Sequence, residues 1–281
     1  MILSQEAGPV ESADPRQDQP ATGERPSPRP FLRPLLTWAW GAPALVLACC
    51  LGFLLWPFAG GRSAFWWIAP HYVRLAAWGF GIRRRLAGWE GLPEGIRLGR
   101  QAAVFVGNHC SLFDPPLLIS TLPGRPVFVA KRELAWVPFL GWAIHMAGFI
   151  FIDRLNLGRA TASLQAAARK VREGQSILAF PEGTRSRDGS VLPFKRGIFA
   201  LARKAGVPVI PFAIHGGPAI LPRGTWRVAG GPYLIQVGQP LDLGPEATAE
   251  DLRRAAEEKV AQLLKEPAPL DSCVNADRRS P

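Results

Sequence analysis

From Leu35 to Phe58 the chain runs for 24 residues without a charged side chain, LLTWAWGAPALVLACCLGFLLWPF. A stretch that apolar must be covered by protein or by lipid. As a helix rising about 1.5 Å per residue it is long enough to cross a hydrocarbon layer roughly 30 Å thick. It does not read as a cleavable signal peptide, because it starts late, is too long and lacks a small-residue cleavage site. A second segment, Ser63 to Ile82, mixes Trp66, Trp67, Tyr72 and Trp78 with His71 and Arg74 and runs into Arg83-Arg84-Arg85. Its polarity and aromatic content suit a helix lying in the headgroup region. Arginine flanks both segments, so positive charge does not orient a single crossing. A hairpin that enters and leaves one leaflet accommodates both flanks, and Pro43 and Pro57 permit a kink or break. The hairpin is therefore preferred to one full span.

The rest of the composition agrees with a membrane setting. Hydrophobic residues make up 48% and the mean hydropathy is +0.07. The net charge of +11 is unevenly spread. Residues 1–34 carry −1 and residues 242–281 carry −3, so residues 35–241, with 23 basic and 8 acidic side chains, carry +15. That sign favours phospholipid headgroups, phosphorylated substrates, an acidic carrier or nucleic acid. Tryptophans clustered between 38 and 89 and again at 136–142 favour a membrane surface over nucleic acid. The four cysteines, Cys49, Cys50, Cys110 and Cys273, show neither metal spacing nor a disulfide framework, which points to a reducing, cytoplasm-facing domain.

A length of 281 residues suffices for one sizeable domain with appendages. Residues 1–34 are rich in proline and charge, without periodicity, and are expected to be a disordered tail. Residues 35–85 form the membrane-associated segment. From there to 266 short β-branched or aromatic runs alternate with helical stretches. Strands are expected at 103–106, 126–130, 149–152, 176–180, 207–213 and 233–237, and helices at 158–173, 197–205 and 247–266. The last helix opens on Thr248 and Asp251, which resembles a capping arrangement. Such alternation predicts an α/β sheet covered on both faces. Residues 267–281 are expected to be unstructured.

Two polar islands interrupt this pattern. The first, Asn108-His109-Cys110-Ser111-Leu112-Phe113-Asp114, follows a strand. Five residues are a little over one helical turn, so His109 and Asp114 can share one side. Asp114 can then accept from one ring nitrogen and leave the other to take a proton from a hydroxyl; an imidazole titrating near pH ~6.5 is suited to that task. Asn108 and Ser111 can order the turn. Ser111 or Cys110 as a nucleophile with His109 as its base is a further reading, although sequence neighbours on such a segment usually diverge.

The second island, Phe180-Pro181-Glu182-Gly183-Thr184-Arg185-Ser186, also leaves a strand at a sheet edge, where ligands of α/β folds tend to sit. Gly183 allows close backbone approach. Arg185 offers a planar fork for phosphate oxygens. Glu182 can hold a substrate hydroxyl or orient Arg185. Standing alone, the segment is equally well a solvated surface turn. Lys131 beyond one strand, Arg154 beyond another, and Lys195 at the opening of a helix fit an anion cradle, though each taken singly is a common solvated cation.

These blocks resemble the bacterial 1-acylglycerol-3-phosphate acyltransferases of the glycerolipid acyltransferase superfamily. Asn-His-x4-Asp at 108–114, Lys-x-Glu-Leu at 131–134, Phe-Ile-Asp-Arg at 151–154, Phe-Pro-Glu-Gly-Thr-Arg-Ser at 180–186, Pro-Phe-Lys-x-Gly at 193–197 and Val-Pro-Val-Ile-Pro at 207–211 occur in order. The resemblance covers roughly residues 60–240. It implies a mixed, largely parallel sheet flanked by helices, with an N-terminal membrane-associated helical segment. It implies acyl transfer from acyl-CoA or acyl-carrier protein to the sn-2 hydroxyl of lysophosphatidic acid, giving phosphatidic acid. His109 would be the base and Asp114 its support. Glu182, Gly183, Thr184 and Arg185 would bind the acceptor, with Lys131, Lys195 and Arg154 completing the cradle. The implied setting is the cytoplasmic face of the inner membrane, without metal or resident cofactor. The polar tail is longer than such enzymes need.

Other readings remain open on sequence alone. The acceptor can be another lysolipid or glycerol 3-phosphate; Arg185 favours a phosphate monoester. A non-catalytic membrane lipid-binding protein would have no use for a poised base. A nucleic-acid binder leaves the tryptophan-rich segments unexplained.

Overall fold

A computed structural model describes residues 32–152, 157–221, 225, 228–244 and 246–276. Two long helices, α1 (Leu32–Ala59) and α2 (Gly61–Phe80), lead into β1 (Ile82–Ala87). The alternating region then runs α3 (Glu94–Arg97), β2 (Val104–Gly107), α4 (Asp114–Thr121), β3 (Val127–Lys131), α5 (Leu140–Met146), β4 (Ile150–Ile152), α6 (Leu157–Arg172) and β5 (Ile177–Ala179). It closes with α7 (Gly197–Ala205), β6 (Val209–His215), α8 (Gly217–Ile220), β7 (Gly231–Val237), α9 (Ala249–Lys265) and β8 (Val274–Asn275).

The strands form one sheet in the order β4-β3-β5-β2-β6-β7-β1-β8. The first five run parallel, with Val104 opposite Ile177 on one side and Val209 on the other. β7 is antiparallel to β6, β1 parallel to β7, and β8 antiparallel to β1. Every residue of β2 and β5 is buried, as expected for parallel strands covered on both faces, which therefore read as unbroken apolar runs. Each fully buried Val, Leu or Ile here contributes about 2 kcal/mol relative to exposure. Helix ends follow local rules. Thr248 and Asp251 form the reciprocal capping box expected of α9, and α7 stops at Gly206, whose φ of 68° lies in the left-handed region.

Only Gly60, at φ 72°, separates α1 from α2, so the two helices fold back as a hairpin. Pro43 and Pro57 lie inside α1 without ending it. The pair is fastened by the Tyr72 hydroxyl donating to the Gly41 carbonyl at 2.9 Å and by Trp38 edge-on to Phe80. Gly79 makes this approach possible: a β-carbon there would stand 2.9 Å from the Thr37 side chain. Leu35–Ala59 is long and apolar enough to cross a membrane, and only 11% of its most apolar window is buried, unlike a soluble core helix. Leu47, Leu54 and Phe58 are 69%, 68% and 87% exposed.

Three boundaries differ from the sequence reading. The sheet begins at Ile82, so Arg83-Arg84-Arg85 belongs to the catalytic domain and not to a membrane segment ending at 85. Arg84 alternates inward between Ile82 and Leu86, and its guanidinium donates to the Ser120 carbonyl and hydroxyl of α4. Helix α1 starts at Leu32, inside the stretch assigned to the polar tail; the first 31 residues lie outside the described ones. The tail expected after 266 is ordered as far as Ala276. Leu86 and Arg85 pair with Val274 and Asn275, and the Ala276 amide donates to the Arg84 carbonyl, which supplies the open edge of β1 with partners.

Candidate active site

Parallel pairing puts the carboxyl ends of β3, β5, β2 and β6 on one rim, and both polar islands leave from there. β2 delivers Asn108, fully buried, whose side chain continues the ladder: Nδ2 donates to the Ile214 carbonyl at 3.1 Å, and Oδ1 accepts from its amide at 2.7 Å. The strand can thus turn away from β6 without orphaning backbone groups. His109 comes next. Its amide donates to Glu182 Oε2 at 3.3 Å, its carbonyl accepts from the Ser186 amide at 2.8 Å, and its ring stacks on Phe180 at 4.2 Å. Nδ1 stands 2.8 Å from Asp114 Oδ2. Nε2 has no partner among the described residues, and the side chain is 18% exposed.

Asp114 is fully buried, at the first position of α4. Its Oδ2 also accepts from the Cys110 and Ser111 amides at 2.8 and 2.7 Å, and its Oδ1 from the Tyr233 hydroxyl at 3.0 Å. A group ringed by amide and hydroxyl donors is an acceptor-only carboxylate, so the proton between the ring and Asp114 sits on Nδ1. That fixes the tautomer and leaves the Nε2 lone pair facing outward. The geometry differs in origin from the one expected: residues 110–113 are not helical, and the chain instead wraps its own amides around the carboxylate.

Neither neighbour is a suitable nucleophile. Burial, then the charges of Asp114 and Glu182, raise the Cys110 thiol far above its ordinary range. Ser111 is 1% exposed, and its hydroxyl accepts from the Phe113 amide.

The second island locks against the first. The Gly183 amide donates to the Phe180 carbonyl at 3.2 Å, closing a turn in which Gly183 takes φ 76°. Glu182 was expected at a substrate hydroxyl or against Arg185; it is instead 4% exposed, with its oxygens on the His109 and Leu192 amides. Burial pushes its carboxyl up to about 8, against the pull of those two amides. Thr184 is exposed. Arg185 is half-buried and has no partner among the described residues, while the next residue, Ser186, is bonded to His109. Imidazole and guanidinium are therefore carried on loops that touch.

The remaining cations are spread along the rim. Lys131 ends β3, two ladder steps or about 10 Å from β2, and forms an exposed ion pair with Glu133 at 3.1 Å. Such a pair exchanges readily for a stronger anion. Lys195 is exposed; its amide donates to the Pro181 carbonyl, and the neighbouring Phe194 amide donates to Glu257 of α9 at 2.7 Å. Arg154 lies outside the described residues. Among the described residues no group of His, Cys, Asp and Glu could hold a metal ion.

Tyr233 escaped sequence reading, yet one signal was available. It is one of only two tyrosines, set in a strand of apolar residues, and a buried hydroxyl requires a partner. Gly217 was also missed; a β-carbon there would meet Cys110 Sγ at 2.5 Å and Asp114 Oδ1 at 3.2 Å.

A buried carboxylate–imidazole pair on the carboxyl rim of a largely parallel sheet is the equipment of an enzyme that moves a proton, and a family profile described as Acyltransferase matches residues 83–215. A 1-acyl-sn-glycerol-3-phosphate acyltransferase of Limnanthes douglasii is 33% identical over 206 residues, covering 73% of this chain and 68% of its own. The human alpha form is 37% identical over 163 residues, covering 58% of this chain and 56% of its own. The crystal structure of the 1-acyl-sn-glycerophosphate (LPA) acyltransferase PlsC from Thermotoga maritima superimposes with a TM-score of 0.70 at 28% identity, over 86% of this chain and 98% of that one. The chain belongs to the 1-acyl-sn-glycerol-3-phosphate acyltransferase family.

Proposed function

We propose that the protein acylates the sn-2 hydroxyl of 1-acylglycerol 3-phosphate, forming phosphatidic acid, with acyl-CoA or acyl-carrier protein as donor. The observation that carries this reading is the outward Nε2 of His109, on a loop bonded through Ser186 to the loop that carries Arg185, neither group having a partner among the described residues. His109 Nε2 takes the hydroxyl proton as the oxygen attacks the thioester carbonyl. Nδ1–H to Asp114 stabilises the imidazolium, and collapse of the tetrahedral intermediate expels the thiolate, which recovers the proton from Nε2. No acyl-enzyme forms. Arg185 grips the acceptor phosphate through its fork, with Lys131, Lys195 and Arg154 adding positive charge and Gly183 and Thr184 shaping the turn. Glu182 holds the two loops in register. The chemistry asks nothing of a metal or resident cofactor.

Membrane lipids supply both the acceptor and the surface. Leu112, inside the catalytic loop, is 62% exposed, Trp136 beyond β3 is 80% exposed, and Phe80 of the hairpin packs edge-on against Phe113. Apolar surface at Leu112 and Trp136 thus borders the rim where a lysolipid would enter. The cytoplasmic face of the inner membrane is the side on which both donors are found, and the four cysteines are free, as a reducing compartment requires.

Acyl transfer in detergent tests the reading with lysophosphatidic acid, glycerol 3-phosphate and lysophosphatidylethanolamine as acceptors. Lysophosphatidic acid is expected to be preferred, and His109→Ala to lose several orders of magnitude, roughly the scale of a removed general base and its support. Near-normal turnover by that variant would remove His109 as the base. Arg185→Lys should raise KM for the phosphorylated acceptor with less effect on kcat, because a point charge replaces a fork.

A further inference from the structure

The opposite rim of the sheet carries a second cationic concavity. A cavity of about 310 Å³ opens between the start of α2 and the loops that enter β3 and β5, lined by Arg62, Ser63, Trp66, Arg125, Gln175 and Ser176 among others. Its loops feed the amino ends of strands whose carboxyl ends carry the candidate active site. A five-residue strand such as β3 is about 16 Å long, so the two places are distinct.

Two arginines meet here without an acidic partner among the described residues. Neither Arg62 nor Arg125 has a hydrogen bond or ion pair among the described residues. Arg62 is half-buried, and its pKa is lowered first by burial and then by the charge of Arg125. Lys170 is depressed by burial and next by Arg62; its ammonium donates to the Gly148 carbonyl, and Glu173 partly offsets it. Arg125 also adopts φ 51°, an uncommon region for a non-glycine residue, immediately before Pro126. Trp66, 4% exposed on the cavity wall, has an indole N–H without a partner among the described residues. Like-charge repulsion and an unused buried donor coincide in one concavity.

We propose that this cavity binds a phosphate oxyanion, and that its occupant is the headgroup phosphate of an anionic phospholipid. Guanidinium forks match phosphate oxygens, and an anion between Arg62 and Arg125 turns their repulsion into attraction. The lipid source follows from position. Phe58, 87% exposed, precedes Arg62 by four residues across the hairpin turn, and Trp67, 65% exposed, follows it by five. Large apolar side chains beside paired arginines mark the boundary between acyl chains and phosphates. The site holds the turn of the hairpin to the surface, and it does not depend on the catalytic reading.

The full chain, its Arg62→Gln/Arg125→Gln double variant and Arg125→Glu are compared for partitioning onto phosphatidylcholine vesicles with and without phosphatidylglycerol. Their melting temperatures are followed as inorganic phosphate is added. The wild type should prefer anionic vesicles. The double variant should lose that preference by about thirtyfold, the contribution of two basic side chains near a charged surface, with binding to neutral vesicles unchanged. Arg125→Glu, which places a carboxylate beside Arg62, should lose the preference while melting no lower than the wild type; this separates ligand loss from unfolding. Phosphate-induced stabilisation of the wild type alone would show that free phosphate also enters. A change in the phosphate response with unaltered vesicle preference would overturn the lipid assignment. Equal behaviour of all three proteins in both assays would overturn the site.

Discussion

A histidine works as a base only while one ring nitrogen stays free and the other stays protonated, and here four donors around one carboxylate secure that condition. Asp114→Asn keeps the shape but offers an NH2 group where donors converge, so the ring is expected to lose its fixed tautomer. Turnover should fall by about 10³ or more, by analogy with a triad that loses its orienting carboxylate, while circular dichroism stays native. Tyr233→Phe removes one donor to a buried charge, worth about 2 kcal/mol; stability should drop by that order and turnover by far less than in Asp114→Asn. Equal losses in the two variants would place the tyrosine's role in the chemistry itself. Glu182 makes a separate, pH-linked prediction. Its carboxyl is raised from an ordinary 4.5 to about 8, chiefly by burial. Between those values the folded chain holds a proton that the unfolded chain releases, so this contribution is complete below pH 4.5 and declines as pH rises toward 8. Denaturant unfolding from pH 5 to 8 should show the wild type losing stability relative to Glu182→Gln. A constant difference would mean that the two amides keep the group ionised throughout.

Elements were legible where a single physical demand wrote them. The strands β2, β5 and β6 announce themselves as short apolar runs, α7 spans the predicted 197–205, and α9 carries its capping box in its first residues. β1 was hidden, because three consecutive arginines look like the flank of a membrane segment, and only the pairing with β7 and the Ser120 partner reveal them as a strand. The His109–Asp114 pair was legible because its members lie five residues apart. Tyr233 was not, being 119 residues from Asp114 and brought there by sheet order, which no local pattern encodes. Glu257 was hidden for the same reason, and it makes α9 more than a cover for the sheet. Its carboxylate takes the Phe194 amide at 2.7 Å and the Arg253 guanidinium at 2.8 Å, tying the loop of Lys195 to the helix. Glu257→Ala should leave that amide unpaired, cost about 1–3 kcal/mol, and raise KM for the acceptor more than it lowers kcat. Thermal unfolding and initial-rate kinetics on the same preparation check both halves. A loss confined to stability would detach the loop from the acceptor site.

On the scale of the whole molecule, the hairpin divides its labour between two helices. α2 buries Phe65, Trp66, Ala77 and Phe80 against the domain, whereas α1 is fastened to α2 and leaves most of its apolar side chains uncovered. Removing α1 would expose α2 and confuse lipid binding with unfolding, so the informative change is made on the outer face alone. Leu47→Lys, Leu54→Lys and Phe58→Lys together replace three side chains that are already 69%, 68% and 87% exposed and that pack little within the chain. The fold should therefore be retained, with a melting temperature within a few degrees of the wild type. Each apolar side chain transferred into lipid is worth about 1.5–3 kcal/mol, so their combined loss should move the protein from sedimenting with neutral vesicles to remaining in the supernatant. Activity on a short-chain, water-soluble lysophosphatidate should persist, since the rim and its charges are untouched. Activity on long-chain acceptor in vesicles should fall in proportion to the bound fraction. If the triple variant still sediments with neutral vesicles, the apolar surface around the rim, including Trp136, Trp142 and Leu112, holds the membrane by itself, and α1 serves another purpose.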